Sequence, residues 1–399
     1  LNTDTPAYSG PKAGETSHSQ LTAVAREVIE RIGDAQVSVP EGFEVHSKLM
    51  NLLRKRQSMS RQGGIDWGFG ELLAFGSLLM EGVPVHMTGE DVRRATFAQR
   101  HAVMHDQRNG SEWTPLDYLT PNQAKLSIVD SLLSEYGAMA FEYGYSVERS
   151  EGLNIWEGQF GDFANGAQTV IDEYVSSAEQ KWGQHSGLVL LLPHGLEGQG
   201  PDHSSARIER YLQRCAEGSM TVAQPSTPAN YFHLLRRHAL GNLKRPLVVF
   251  TPKSMLRLKA ASSSVDEFTD VKKFRSVIND PRLVDRDNNV IGDVNKVKKI
   301  LLVSGKLYYE LEKRRAKDNR DDIAIVRIEM LHPIPFNRLK EAFDFYPNAE
   351  EIRFCQDEPA NQGPWPFLGL HLPELIPGLL PMKRVSRRAQ SSTSTGVAK

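Results

Sequence analysis

The chain has 399 residues, of which 24% are Asp, Glu, Lys or Arg, and a formal net charge of −1. That balance gives no electrostatic basis for binding nucleic acid or an anionic membrane, and no apolar run approaches the ~20 residues that span a bilayer. The length accommodates two or three domains of ordinary size. Cys215 and Cys355 lie far apart and form no C-x-x-C pair. They point away from a disulfide framework or a zinc site and towards a reducing cytoplasm.

Residues 1–20 are polar and rich in Thr, Ser, Gly and Pro. They read as a linker or disordered lead-in rather than a signal peptide. The first residue is Leu rather than Met, so the chain reads as a piece of something longer. Leu21, Val24, Ala25, Val28, Ile29 and Ile32 follow helical spacing, as do Leu49, Leu52 and Leu53. Arg54-Lys55-Arg56 on the second pattern reads as a solvated helix face. Residues 1–60 are therefore taken as a linker with a helical lead-in.

Asp66 is positioned to cap a helix running to Met80, which Gly82 and Pro84 would end. A short strand over 83–87 leads into the polar loop Gly89-Glu90-Asp91. Residues 96–110 place His101 and His105 four apart, on one face if the segment is helical. No third metal ligand accompanies them, so they read as surface or site-wall histidines. Residues 127–146 suit a closely packed helix, in which Glu135 sits among Leu132, Leu133, Ala138 and Ala140. A carboxylate in that setting is either paired with a polar partner or desolvated with a raised pKa. Residues 154–160 form a strand candidate ending in Phe160, and Phe163 follows at the start of a helix expected over 164–174. Core packing is the plain reading of those two aromatics.

Residues 188–192 are an unbroken apolar run, the mark of a strand buried on both faces. The following loop carries Gly195, Gly198 and Gly200, His194 and His203, and Glu197 and Asp202. Ser204 or Ser205 is placed to cap the next helix. The glycine pattern is not the dinucleotide fingerprint, and no acid ends the next strand. Two histidines in a loop at the carboxyl end of a buried strand nevertheless point to chemistry. Strands near 220–223 and 247–250 flank a helix over 229–240. The alternation predicts an α/β fold with a mostly parallel sheet. Residues 261–294 show little apolar periodicity and read as an interdomain connection. A second α/β unit over 295–399 has strands near 300–303, 323–328 and 352–355, with helices near 306–315 and 337–345. Its basic, Ser/Thr-rich end, 385–399, is expected to fray.

The segments GEDVRRATFAQRHAVMHDQ, NIWEGQFGDFANGAQ, LLLPHGLEGQGPDHSSARIERYLQ and STPANYFHLLRRH carry a resemblance. They resemble the carboxyl-terminal half of the decarboxylating component of 2-oxoglutarate dehydrogenase, including its multifunctional actinobacterial forms. The resemblance covers about residues 45–390. It implies two transketolase-like units: a pyrimidine-binding domain over 61–260 and a transketolase-type C-terminal domain over 295–399. It implies a thiamine diphosphate cofactor with magnesium, decarboxylation of 2-oxoglutarate, and transfer to a lipoyl acyltransferase domain, a proton or glyoxylate. The alternatives are another 2-oxo acid decarboxylase, a transketolase-type enzyme, or a non-catalytic regulatory or assembly fragment.

By the same resemblance, Glu135 faces the aminopyrimidine ring, Phe160 and Phe163 wall it, and His203 lies near the substrate carboxylate. The family's Gly-Asp-Gly stretch, which holds the metal with a later Asn, does not occur here; Gly161-Asp162-Phe163 departs from it at the last position. The metal ligands and the diphosphate-binding half are therefore expected outside this chain, with a homodimer completing the site. An acetyl-CoA regulator is a further expectation, with Arg237, Lys272 and Arg275 as its candidates among the basic residues flanking the interdomain connection. A solvated basic surface is the alternative there.

Overall fold

The computed structural model describes residues 21–396. The linker expected over 1–20 lies outside them. Helices Arg26–Ala35 and Ser47–Gln62 form from the two early apolar patterns and pack against each other, and the first also packs against the helix Trp67–Met80. The Asp66 carboxylate caps that helix, accepting the Phe69 amide at 3.0 Å. Every residue of it except Met80 is buried, so it is apolar all round and lies inside the molecule.

The strands in chain order are β1 (Val85–Gly89), β2 (Met104–His105), β3 (Glu112–Trp113), β4 (Leu126–Asp130), β5 (Leu153–Glu157), β6 (Leu188–Pro193) and β7 (Thr221–Ala223). They continue with β8 (Leu247–Thr251), β9 (Val277–Ile278), β10 (Lys299–Val303), β11 (Ile323–Ile328), β12 (Met330–His332), β13 (Glu351–Pro359) and β14 (Met382–Arg387). The first sheet has seven strands in the order β12-β7-β8-β6-β5-β1-β4, parallel throughout except for the β12–β7 pair. The second has five, β14-β13-β10-β11-β9, parallel except at β9. β5, β6 and β8 are buried along their whole length, as a parallel sheet covered on both faces requires. The fold is α/β with two mostly parallel sheets.

Several local expectations give way to tertiary structure. Residues 96–110 form no helix. Ala95, Ala98 and His101 adopt left-handed backbone with φ of 69°, 53° and 40°, and the chain then enters the β2–β3 hairpin. His101 and His105 thus share no helical face. Residues 127–146 divide into edge strand β4, an exposed loop and the helix Glu135–Glu148. The helix expected over 164–174 is a 3₁₀ segment, Gly161–Ala167, that passes through a single α-turn into a π-turn. Neither Ser204 nor Ser205 caps the helix Ile208–Gln213. Arg207 holds the cap position in left-handed backbone, and Ser205 Oγ accepts the Arg207 amide instead. The 261–294 stretch supplies edge strand β9 to the second sheet.

Within the stretch expected to fray, residues 385–396 are more ordered than their composition suggests. β14 runs to Arg387, and Thr393 is buried, donating to the Pro201 carbonyl at 2.8 Å.

Buried polar contacts lock the two sheets together. Glu329, between β11 and β12, is fully buried and accepts from the Ser226 amide at 2.7 Å, the Ser226 hydroxyl at 2.6 Å and Asn230 Nδ2 at 2.9 Å. It thereby holds the amino end of the helix Pro228–Leu240, whose cap is Thr227. His194, one residue beyond β6, meets Glu358 of β13 at 2.6 Å. The Ala206 amide donates to His194 Nδ1 at 3.1 Å, so the ring proton sits on Nε2 and is donated to Glu358. Burial, the largest single influence, would raise the Glu358 carboxyl, but the His194 hydrogen bond and charge, a backbone amide and Arg387 together outweigh it and the net shift is downward.

A depressed carboxyl pKa contributes stability that is present above the unfolded value, about 4.3, and lost as pH falls through the lower folded value. We therefore expect Glu358→Gln to cost about 2 kcal/mol at pH 7, with the gap to the parent narrowing below about pH 4. Denaturant unfolding of both proteins from pH 7 to pH 3 reads this directly. A gap of constant size would show that Glu358 is not held as an anion.

Candidate active site

The carboxyl ends of β1, β5 and β6 meet where the chain departs to either side of the sheet, the usual ligand crevice of such folds. Three segments emerge there. The first, residues 90–101 after β1, is fixed by Arg100. This side chain is fully buried; its Nε donates to Glu71 Oε1 at 2.6 Å, and Nη1 and Nη2 donate to Glu157 at 2.8 and 2.7 Å. Tyr231 donates to the remaining Glu71 oxygen at 2.8 Å, and Arg100 also reaches the Val92 carbonyl. Burial raises the Glu157 carboxyl, opposed by the Arg100 contact. Gly68 lets the loop lie on the helix Trp67–Met80, since a Cβ there would stand 2.1 Å from the Gln99 carbonyl.

The second segment, after β5, carries Gln159, Phe160 and Phe163. The third, after β6, carries His203. The structure brings these together: the His203 ring meets Phe160 edge to face at 4.5 Å and Phe163 at 5.5 Å. Phe160 in turn meets Phe163 at 5.7 Å and Phe97 of the first segment at 5.4 Å. All four rings are half-buried, so they wall an open crevice rather than fill a core.

The His203 loop is held at many points. Lys253 donates to the His203 carbonyl at 2.7 Å and to Gln199 at 2.6 Å. Glu197 accepts the Ser254 amide and hydroxyl at 3.0 and 2.8 Å. Asp162 accepts the Ser204 and Ser205 amides at 3.3 and 3.1 Å, joining this loop to the one that carries Phe163. His203 ends a short 3₁₀ turn, and the next helix begins only at Ile208, so helix-end potential does not act on it.

Glu135 is the first residue of its helix, behind the Ser134 cap. It is not enclosed by apolar side chains: Leu132 is 87% and Leu133 81% exposed, and Glu135 itself is half-buried. Its helix packs on Gly161–Ala167, where a Cβ on Gly166 would stand 3.8 Å from Glu135 Oε2. Glu90, which the sequence shows only as part of a polar loop, has its carboxyl raised above the ordinary range by burial first and then by the nearby charges of Glu135 and Asp91. His101 stands near the site with its pKa pushed down to about 4 by burial and by Arg56, Arg94 and Arg257, so its ring is neutral at neutral pH.

A second cavity, of about 610 Å³, lies where the two units meet. Arg237 and Arg275 line it together with Lys273, Arg286 and Arg338. Lys272 is not in the lining; it is exposed, with its ammonium on the Thr269 carbonyl at 3.2 Å. Lys273, Arg286 and Arg338 carried no sequence signal, because their convergence comes from segments far apart in the chain. Among the described residues, no cluster of three or more His, Cys, Asp or Glu side chains is gathered to hold a metal, and no helix is long and apolar enough to cross a membrane.

Residues 63–259 match the transketolase pyrimidine-binding domain, and residues 262–399 match the 2-oxoglutarate dehydrogenase C-terminal domain. The chain is 64% identical over 385 residues to the 2-oxoglutarate dehydrogenase E1/E2 component of Corynebacterium glutamicum, covering 96% of this chain and 31% of that protein. It is 56% identical over 385 residues to the multifunctional 2-oxoglutarate metabolism enzyme of Mycobacterium sp. (strain KMS), covering 95% of this chain and 30% of that protein. The chain thus spans about a third of the length of these curated relatives.

Proposed function

We propose that this chain, which belongs to the 2-oxoglutarate dehydrogenase family through its pyrimidine-binding and C-terminal domains, supplies the aminopyrimidine side of a thiamine-diphosphate site that decarboxylates 2-oxoglutarate. The observation that carries this reading is the gathering of Phe160, Phe163 and His203 in an open crevice, next to a helix start that presents Glu135 beside the bare Gly166.

These residues suit the cofactor's chemistry. Glu135 holds a ring nitrogen of the aminopyrimidine and moves a proton there. Phe160 and Phe163 bound the flat ring and keep water from it. His203, fixed by Lys253 through its backbone, offers a donor to the substrate carboxylate and to negative charge that develops during reaction. Thiamine diphosphate, when bound, supplies the carbon nucleophile and the electron sink for loss of carbon dioxide. Magnesium and the diphosphate are assigned to a half outside this chain, since the Gly-Asp-Gly stretch that holds them in the family does not occur here.

A partner surface is consistent with the side chains around Glu135. Leu132, Leu133, Tyr136 and Phe141 are 87%, 81%, 53% and 65% exposed, an apolar patch of the kind that marks an interface. The proposal places a diphosphate-binding half over it, within a homodimer. A lipoyl acyltransferase domain, a proton or glyoxylate then accepts the product of decarboxylation.

A regulatory reading attaches to the 610 Å³ cavity. Burial disfavours the charge on Arg237 and Arg275 alike, and Arg275 Nε has no hydrogen-bond partner. An anionic ligand of acetyl-CoA type would relieve both. Arg237 lies over the Phe274 ring, 5.6 Å from its centroid, so a flat group also has a surface to meet.

In the assembled enzyme, Glu135→Gln should abolish deuterium exchange at the thiazolium carbon with the fold intact. On the same preparation series, His203→Ala should lower 2-oxoglutarate turnover by about 10- to 1000-fold with cofactor affinity little changed. Unchanged exchange removes Glu135 from the mechanism, and a His203 deficit fully explained by weaker cofactor binding removes His203 from the substrate site. For the cavity, Arg237→Ala combined with Arg275→Ala should blunt activation by acetyl-CoA, while Lys272→Ala should leave it unchanged. A full response in the double variant sinks the regulatory assignment.

A further inference from the structure

Glu135 opens the helix Glu135–Glu148, and that helix is held unevenly along its length. Its carboxyl-terminal half is tied to the rest of the molecule by polar contacts. Tyr143 Oη donates to Gln184 Oε1 at 2.7 Å, Ser146 Oγ meets Ser186 Oγ at 2.7 Å, and Asn154 Nδ2 donates to the Arg149 carbonyl at 2.8 Å. The amino-terminal half has little to hold it. Between Glu135 and Phe141 only Met139 is buried, and the preceding residues Leu132, Leu133 and Ser134 are exposed.

One ion-pair contact stands between the two halves. Glu142 lies seven residues after Glu135, two turns along the same face and about 10 Å away. It is 1% exposed. His86 of β1 reaches it, with Nε2 at 2.9 Å from Glu142 Oε2. Both atoms are sealed from solvent, and among the described residues neither has a hydrogen bond to any other group. The His86 ring also stacks on Tyr145 of the same helix, with centroids 4.1 Å apart. His86 thus sits in a notch between Glu142 and Tyr145. It cannot follow the helix, because its backbone is paired with Ser127 of β4 on one side and Asn154 of β5 on the other.

We propose that His86 and Glu142 are positioning residues for Glu135: their buried contact sets how the helix Glu135–Glu148 seats on β1, and so where the Glu135 carboxyl stands in the crevice. This rests on the role given above to Glu135. Two turns of helix act as a stiff body, so a change of seat at Glu142 is carried to Glu135. A displacement of about 1 Å at a reacting group costs on the order of 100-fold in rate. A polar pair suits this task better than an apolar one, because a buried carboxylate tolerates few positions away from its partner.

The test uses the assembled enzyme and three variants. His86→Phe keeps a ring against Tyr145 and removes the nitrogen, and Glu142→Gln removes the charge. The double variant His86→Phe with Glu142→Leu leaves no buried polar atom at the contact. Each single variant should lower the unfolding midpoint and slow thiazolium exchange about 10- to 100-fold, with thiamine-diphosphate affinity changed less than the rate. In the double variant the midpoint should return towards the parental value, since no carboxylate is left unpaired, while exchange stays as slow as in the single variants. Exchange that recovers together with the midpoint would show that the pair serves stability alone and overturns the proposal, as would parental exchange in either single variant. If Glu135→Gln itself leaves exchange at the parental rate, it is the role of Glu135 that fails.

Discussion

The crevice depends on one buried guanidinium. Arg100 closes a loop that leaves β1 at Gly89 and has no regular structure of its own. Its fork ties that loop to Glu71 of the central helix and to Glu157 at the end of β5. Leaving a buried carboxylate without its cation costs about 3–5 kcal/mol. Two carboxylates converge here, so the loop has a single low-energy position. Glu90, Asp91 and Phe97 are placed by that constraint, and through Phe97 the aromatic cluster around His203 gains its third side.

The other half of the crevice is fixed by long-range polar locks rather than by apolar packing alone. His194 and Glu358 join the end of β6 to β13, Glu329 grips the helix Pro228–Leu240, and Thr393 closes on Pro201. The C-terminal unit is therefore part of the site's support, although the crevice side chains come from the first sheet. A glycine-rich loop pinned by Lys253, Glu358 and Thr393 can present His203 at a set position while its glycines supply the turns.

Much of the sheet was legible because its chemistry is local. Residues 188–192 and 247–250 are unbroken apolar runs, and such runs become interior parallel strands. Asp66 announced a helix, and its carboxylate caps it. β4 escaped because it is an edge strand with a half-exposed pattern that blends into the following helix. The 90–101 loop escaped because its turns use Ala95, Ala98 and His101 in left-handed backbone, where no glycine marks them. Glu135, Phe160, Phe163 and His203 were singled out by family resemblance. Residue spacing alone left Glu135 between a paired and a desolvated carboxylate and read the two aromatics as core. Glu90 had one faint signal, an acid at the carboxyl end of a strand, but its nearness to Glu135 joins residues 45 positions apart and depends on the sheet order.

The central claim is that this chain carries one side of a two-sided site. It is tested most directly by measuring carbon dioxide release from 2-oxoglutarate with thiamine diphosphate and magnesium, first with the chain alone and then with a diphosphate-binding half added. The account predicts no release above the uncatalysed rate from the chain alone and release once the second half is present. Carbon dioxide from the chain alone would contradict it.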